Sequence, residues 1–307
     1  MAGLINVGLS GVLGHQAALN TTGNNITNAN TPGYSRQEVS FETQPGRATG
    51  AGSIGSGVSI ANIRRLADEY LADQVRSDSS LMAEQDVLNQ ELSRLDNLLG
   101  GETTGLNKAL NNFFASLQNA AEDPGSLPQR QLVLSEAQGL VNRFQALQQE
   151  FLQQREIVKA QMNEGVADAN TLLNQIAGLN LAIAEFPGLA QGREPNDLLD
   201  KRDEALRKLS EIVQVRVVPT DGRQTNVLLG NGQALVVGGD AAQLGTRPGT
   251  ENPTELEFTL TSGGRTLVVS EQMNGGKLGG LRRFQDQALK PATDELGRLA
   301  VVISDQL

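Results

Sequence analysis

The sequence predicts a mainly α fold: an elongated, coiled-coil-like helical bundle with an inserted small antiparallel β-sheet and an N-terminal helical arm. Apolar residues recur at three- and four-residue steps through most of residues 64–212, the spacing of one helix face. Ile5, Val12, Leu19 and Ile26 recur every seven residues, the spacing of a coiled-coil seam. The period then switches to two at Val213, and Asp221-Gly222 and Asn231-Gly232 are hairpin signals. Aromatic residues make up only 3% of the chain, which suits helical packing through Leu, Ile, Val and Ala better than one large globular core. The absence of cysteine excludes a disulfide scaffold and a Cys-based metal site.

Residues 1–34 read as an arm and a corner. Leu9, Gln16 and Gly23 fall four positions after Ile5, Val12 and Leu19, completing an a/d pattern that asks for a partner helix. Residues 2–28 would make a helix of ~40 Å. A lone helix with one such stripe is marginal in water, so the arm is expected to order on contact with a coiled-coil partner. The alternative is an amphipathic helix packed on its own domain. Asn28, Ala29, Asn30, Thr31, Pro32, Gly33, Tyr34, Ser35, Arg36 and Gln37 follow. Thr31 precedes proline and is pushed out of the α region. Gly33 permits a positive φ, and asparagine side chains bond nearby backbone in turns. The motif reads either as a rigid corner that fixes how the arm leaves the body or as an ordinary helix stop. Tyr34 would pack the corner.

Residues 35–63 read as an extended, Gly-rich connector. Val39 and Phe41 alternate with polar residues as a short strand, Gly46–Gly57 is a flexible stretch, and Val58, Ile60 and Ile63 return to order. Residues 64–212 read as a long-helix bundle. A first helix over 64–99 is stopped by Gly100-Gly101 and a second runs over 106–121. A third starts after Asp123-Pro124-Gly125 and continues to about Glu185, with a seam that turns polar around Gln154 and Gln161. Asn196 is expected to cap a fourth helix to Glu211. Its charges (Asp200, Lys201, Arg202, Asp203, Glu204, Arg207, Lys208) read as a solvated face with i,i+4 pairing. Residues 213–272 read as the β insert, with strands near 213–218, 225–229, 233–237, 255–261 and 266–270, and residues 273–307 as a helix returning to the bundle.

Net charge is −10, and residues 64–212 hold 14 Lys+Arg against 23 Asp+Glu. That opposes nucleic-acid binding, which needs basic patches. No apolar run approaches the ~18 residues of a membrane span, and the first basic residue, Arg36, comes too late for the positive n-region of a secretory signal. His15 is the only histidine and cannot build a zinc site alone. Neither Gly8-Leu9-Ser10-Gly11 nor the glycines of 275–280 match phosphate-loop spacing. No enzyme, cofactor or metal site is expected.

The stretch Asn24-Asn25-Ile26-Thr27-Asn28-Ala29-Asn30-Thr31-Pro32-Gly33-Tyr34 resembles the N-terminal signature of the bacterial flagellar axial proteins, that is, the rod, hook and hook-associated proteins. Ser35-Arg36-Gln37 is similar to the variant of the hook-associated members at the hook–filament junction. Residues 111–145, 198–215 and 275–305 resemble the same members, so the likeness covers nearly the whole chain. The chain stops inside an apolar helical run (Leu299, Val301, Val302, Ile303), and the resemblance implies an N-terminal portion of a longer protein. It further implies a structural junction ring and a site in the extracellular flagellum, reached without a cleaved signal peptide. The implied partners are further copies of itself, the flagellar hook protein, hook-associated protein 3, and the type III export machinery. An export chaperone is also implied, bound at the missing C-terminal part. Another rod or hook subunit is an alternative, opposed by the helical stretch 111–212. An extracellular adhesin-like module is a second, opposed by the lack of exposed aromatic groups expected on the β insert.

Overall fold

The computed structural model describes residues 2–50, 52–101, 105–220, 223–250 and 252–306. It is mainly helical with small antiparallel sheets. The order is α1 (Ala2–Thr27), β1 (Gln37–Thr43), β2 (Arg47–Thr49), β3 (Gly52–Ile54), β4 (Val58–Arg65), α2 (Glu69–Gly100), α3 (Leu106–Glu122), α4 (Leu127–Ala184) and α5 (Asn196–Ile212). Then come β5 (Val215–Pro219), β6 (Thr225–Leu229), β7 (Ala234–Val237), β8 (Asp240–Ala241), β9 (Gln243–Pro248), β10 (Leu256–Ser262), β11 (Arg265–Val268), α6 (Gly276–Phe284) and α7 (Lys290–Gln306). The chain forms two compact units. The first takes the chain up to Ser79, Asn170–Ser210 and Val215–Ala242; the second takes Ser80–Ala169, Glu211–Gln214 and the chain from Gln243 on.

In the first unit, β1 pairs antiparallel with β4 from Gln37↔Arg65 to Thr43↔Val58, with a bulge between Ser40 and Phe41. The stretch expected to be a flexible connector is therefore a hairpin with β2 and β3 paired near its tip. Its glycines serve turns: Gly52 and Gly57 have φ of 123° and 103°, values closed to most L side chains. Pairing of Arg64 and Arg65 in β4 also moves the start of α2 from the expected residue 64 to Glu69. Asp68 caps it, its carboxylate accepting from Tyr70 N at 2.9 Å and Leu71 N at 3.2 Å. The core joins Leu173, Ile176 and Ile183 of α4, Leu199, Leu206 and Leu209 of α5, and Val227, Leu229, Leu235 and Val236 of the sheet β5-β6-β7-β8. Within it the buried Asn180 amide donates to Thr225 O at 2.8 Å and Gly238 O at 2.7 Å, fixing α4 on the sheet.

In the second unit, β9, β10 and β11 form a separate three-stranded sheet. The β region is thus two sheets, where the alternation predicted one insert. Strand β9 was missing from the expectation because Gln-Leu-Gly-Thr-Arg-Pro carries a single large apolar side chain. Asn231-Gly232 does turn between β6 and β7, with Gly232 at φ 90°. The other expected hairpin turn, Asp221-Gly222, lies outside the described residues. Phe258 and Leu260 of β10 join Phe151, Met162 and Val166 of α4 and Leu278, Leu281 and Phe284 of α6 among the buried residues. The expected returning helix is broken by a π turn over Gln285–Leu289. Pro291 follows it, has no N–H to give and clashes with a regular preceding turn, which a widened turn relieves.

The polar step in the seam of α4 is a buried layer. Glu91 of α2, 1% exposed, accepts from Gln154 at 2.5 Å, Gln161 at 3.4 Å and Arg94 at 2.7 Å. The glutamines that interrupt the apolar pattern are there to satisfy a buried carboxylate.

Candidate functional site

The corner is built from the end of α1 outward. Asn25, in the last turn of the helix, holds the first residue of β1 as a strand partner would. Its Oδ1 accepts from Gln37 N at 2.9 Å, and its Nδ2 donates to Gln37 O at 2.8 Å. The same Oδ1 accepts from the Tyr34 hydroxyl at 2.8 Å. Asn28 donates to the Asn24 backbone and side chain at 3.0 and 2.8 Å, and Thr31 Oγ1 donates to Asn28 Oδ1 at 3.2 Å. The backbone turns through Thr31 N to Asn28 O at 2.9 Å and Tyr34 N to Thr31 O at 3.2 Å. Ala29, Asn30, Pro32 and Arg36 are exposed. Gly33 is needed twice over: its φ is 79°, and a Cβ there would lie 2.8 Å from Glu204 Cβ.

Contact with Glu204 is one of several on α5, and here the expectation of a solvated charged face fails. Asp200 and Arg202 are each only 7% exposed. Asp200 accepts the Ser35 backbone N–H at 3.1 Å and an Arg65 N–H at 2.9 Å. The same Nη1 of Arg65 reaches Asp203 at 2.8 Å. Burial opposes the Arg65 charge, but the bonds to Asp200 and Asp203 outweigh it and hold its pKa above the ordinary value. Arg202 goes the other way: burial, with Arg65 nearby, lowers its pKa against the pull of Asp203. Burial, then the charges of Asp200 and Asp197, raise the Tyr34 phenol. Asn196, expected as a cap, lies within α5 and donates to Ile63 O of β4 at 2.9 Å. Sequence reasoning missed Asn25, Arg65, Asp200 and Asp203 as the frame of the corner. The available signal was an apolar i,i+3/i+4 pattern flanked by acids, which a solvated helix shares.

The heptad residues of α1 lie on its other side. At ~100° per residue, Ser10, Gly14, Ala17, Thr21 and Asn25 fall opposite Ile5, Val12, Leu19 and Ile26. The former face packs on the hairpin. A Cβ on Gly14 would sit 3.1 Å from the Phe41 ring, and Ser10 Oγ accepts from Val58 N at 3.2 Å. His15 lies beside the same ring, centroids 5.8 Å apart. The latter face is open: exposure runs from 52% at Leu9 through 65% at Val12 and 67% at Ile5 to 72% at Leu19 and Ile26. Gln16 is also exposed. Neither expectation for the arm describes it fully. It packs on its own unit, but through small and polar residues, and it leaves its apolar seam uncovered within the chain.

Among the described residues, no group of three or more His, Asp or Glu is placed to hold a metal, and no helix is long and apolar enough to cross a membrane. The site thus consists of a hydrogen-bonded corner and an exposed apolar stripe.

The chain was compared with known proteins. The family model described as the flagellar hook-associated protein FlgK helical domain matches residues 92–307, and that of the flagella basal body rod protein matches residues 5–34. Flagellar hook-associated protein 1 of Salmonella typhimurium is 36% identical over 99% of this chain and 56% of its own length. The protein of the same name from Escherichia coli is 34% identical over the same shares, and that of Bacillus subtilis is 34% identical over 66% of this chain and 41% of its own. The solved structure of the flagellar hook junction protein FlgK from Burkholderia pseudomallei superposes with a TM-score of 0.70 at 34% identity, over 76% of this chain and 42% of that one. The chain spans 56% of the length of its Salmonella and Escherichia relatives. With its helical region matched from residue 92 to 307 and its arm matched to the rod-type N-terminus, the chain belongs to the flagellar hook-associated protein FlgK family.

Proposed function

We propose that this chain serves as a structural subunit of the junction ring between hook and filament, attaching the filament and so enabling motility. The observation that carries the reading is the open seam Ile5, Leu9, Val12, Gln16, Leu19 and Ile26 on a helix whose opposite face is already fixed. Five apolar side chains left in water at heptad spacing are stabilised by a partner helix, at ~25 cal/mol per Å² buried. Neighbouring copies supply such helices in a ring. The corner motif, Asn28 to Gln37, sets the direction in which each arm leaves its subunit. The proposed partners are the hook protein on one side and hook-associated protein 3 on the other. The type III export machinery, with its chaperone, carries the chain out without a cleaved signal.

The test is deletion of the gene, with hooks imaged by electron microscopy and flagellin assayed in the medium. The expected result is bare hooks with flagellin lost to the medium. Absent hooks would move the subunit to the rod or hook, and normal filaments would overturn the junction reading.

A further inference from the structure

Within the first unit, α1 and the β1–β4 hairpin are bound together by Asn25, Ser10 and Gly14. Their connection to α5 is of another kind. It includes Ser35 N and Arg65 Nη1 on Asp200, the same Nη1 on Asp203, Asn196 on Ile63 O, and Gly33 lying on Glu204. Two clefts adjoin these links: one of about 660 Å³, lined among others by Ile60, Ile63, Phe186, Pro195 and Leu198, and one of about 220 Å³, lined among others by Pro32, Tyr34, Asp197 and Lys201. Interdigitated apolar side chains would fix one angle, because close-packed surfaces do not slide continuously. Hydrogen bonds at Asp200, Asp203 and Asn196 hold the two parts at a few points and leave the angle freer than a packed apolar face would.

We propose that Asp200 and Arg65 form a pin about which the arm and hairpin pivot on the body of the unit. The pin deepens the junction reading and rests on it: a subunit seated between two unlike assemblies has to vary the direction of its arm. The compliance expected of the 46–57 stretch thus moves to α5, since that stretch is itself held in a hairpin.

The chain has no cysteine, so Asn20→Cys on α1 and Gln175→Cys on α4 take spin labels specifically. The distance between them is read by double electron–electron resonance on the full chain. With the pin intact a bounded distribution is expected, wider than the labels alone produce, because the arm swings about a fixed point; a single label-limited distance would overturn the pivot. Asp200→Ala should broaden the distribution further with the helical circular dichroism unchanged, and Asp200→Asn, which keeps an acceptor for Ser35 N–H, should broaden it less. If Asp200→Ala loses helicity, the milder Arg65→Lys is read with the same labels and should broaden the distribution. An unchanged distance in the folded variant would overturn the pin. The deletion phenotype judges the junction reading separately, because the label distances do not depend on it.

Discussion

Replacing Leu19 by aspartate separates folding from assembly. Leu19 is 72% exposed, so about a quarter of its surface is covered within the chain. Full burial of a leucine is worth about 1.5–3 kcal/mol, which puts the folding contribution of that quarter at about 0.4–0.8 kcal/mol. For a chain of 307 residues the melting temperature should then fall by under about 3 °C. In an assembled seam the cost is larger. The remaining burial, about 1–2 kcal/mol, is lost, and an unpaired carboxylate must leave water at several kcal/mol. A total of about 4 kcal/mol weakens association about a thousandfold. The assay pairs thermal melting by circular dichroism with complementation of a deletion strain. The expected result is a normal melt and no filaments. A collapse of the helical signal would show that the seam belongs to the fold, and normal filaments would show that it is not an assembly surface.

Three further outcomes follow from the geometry. Gly33→Ala should destabilise the corner by about 1–3 kcal/mol through its positive φ, read as faster amide exchange over residues 33–37. Gly33→Asn should fare no better, although asparagine tolerates that φ, because its Cβ meets Glu204 just the same. Glu91→Ala should cost about 1–3 kcal/mol for each of the two glutamine amides it orphans; urea unfolding measures this, and replacing Glu91, Gln154 and Gln161 together by leucine should recover most of it. Glu204 has its pKa lowered by its hydrogen bond to Arg207, with Arg207 and Lys208 charges adding and burial opposing. A depressed folded-state pKa gives stability that is present above the ordinary glutamate range and is lost as pH falls through the lower, folded value. The partly exposed pair contributes about 0.3–0.5 kcal/mol, so Glu204→Gln should slightly flatten the acid limb of a stability–pH curve, and an unaltered limb would count against the pairing.

Much of the helical part was written in local pattern. Helices α3 and α4 begin and end within a residue or two of the expected limits, because Gly100-Gly101, Asp123-Pro124-Gly125 and Phe186-Pro187-Gly188 stop a helix wherever they occur. The polar interruption at Gln154 and Gln161 was visible, but not its cause, since Glu91 lies 63 residues before the nearer of them.

The sequence by itself determined the heptad of α1, the corner after it and the switch to β periodicity, all of which depend on neighbours a few residues apart. Tertiary structure decided which face of α1 is covered. A run of Ser, Gly, Ala and Thr gives no apolar signal, and it packs only because Phe41 and Val58 meet it there. It also decided the fate of the charges on α5. Asp200 and Asp203 are solvated or buried according to whether Arg65, more than a hundred residues away, arrives to pair with them. Burying a charge is favourable only when its partner is present, and that partner comes through the folded chain.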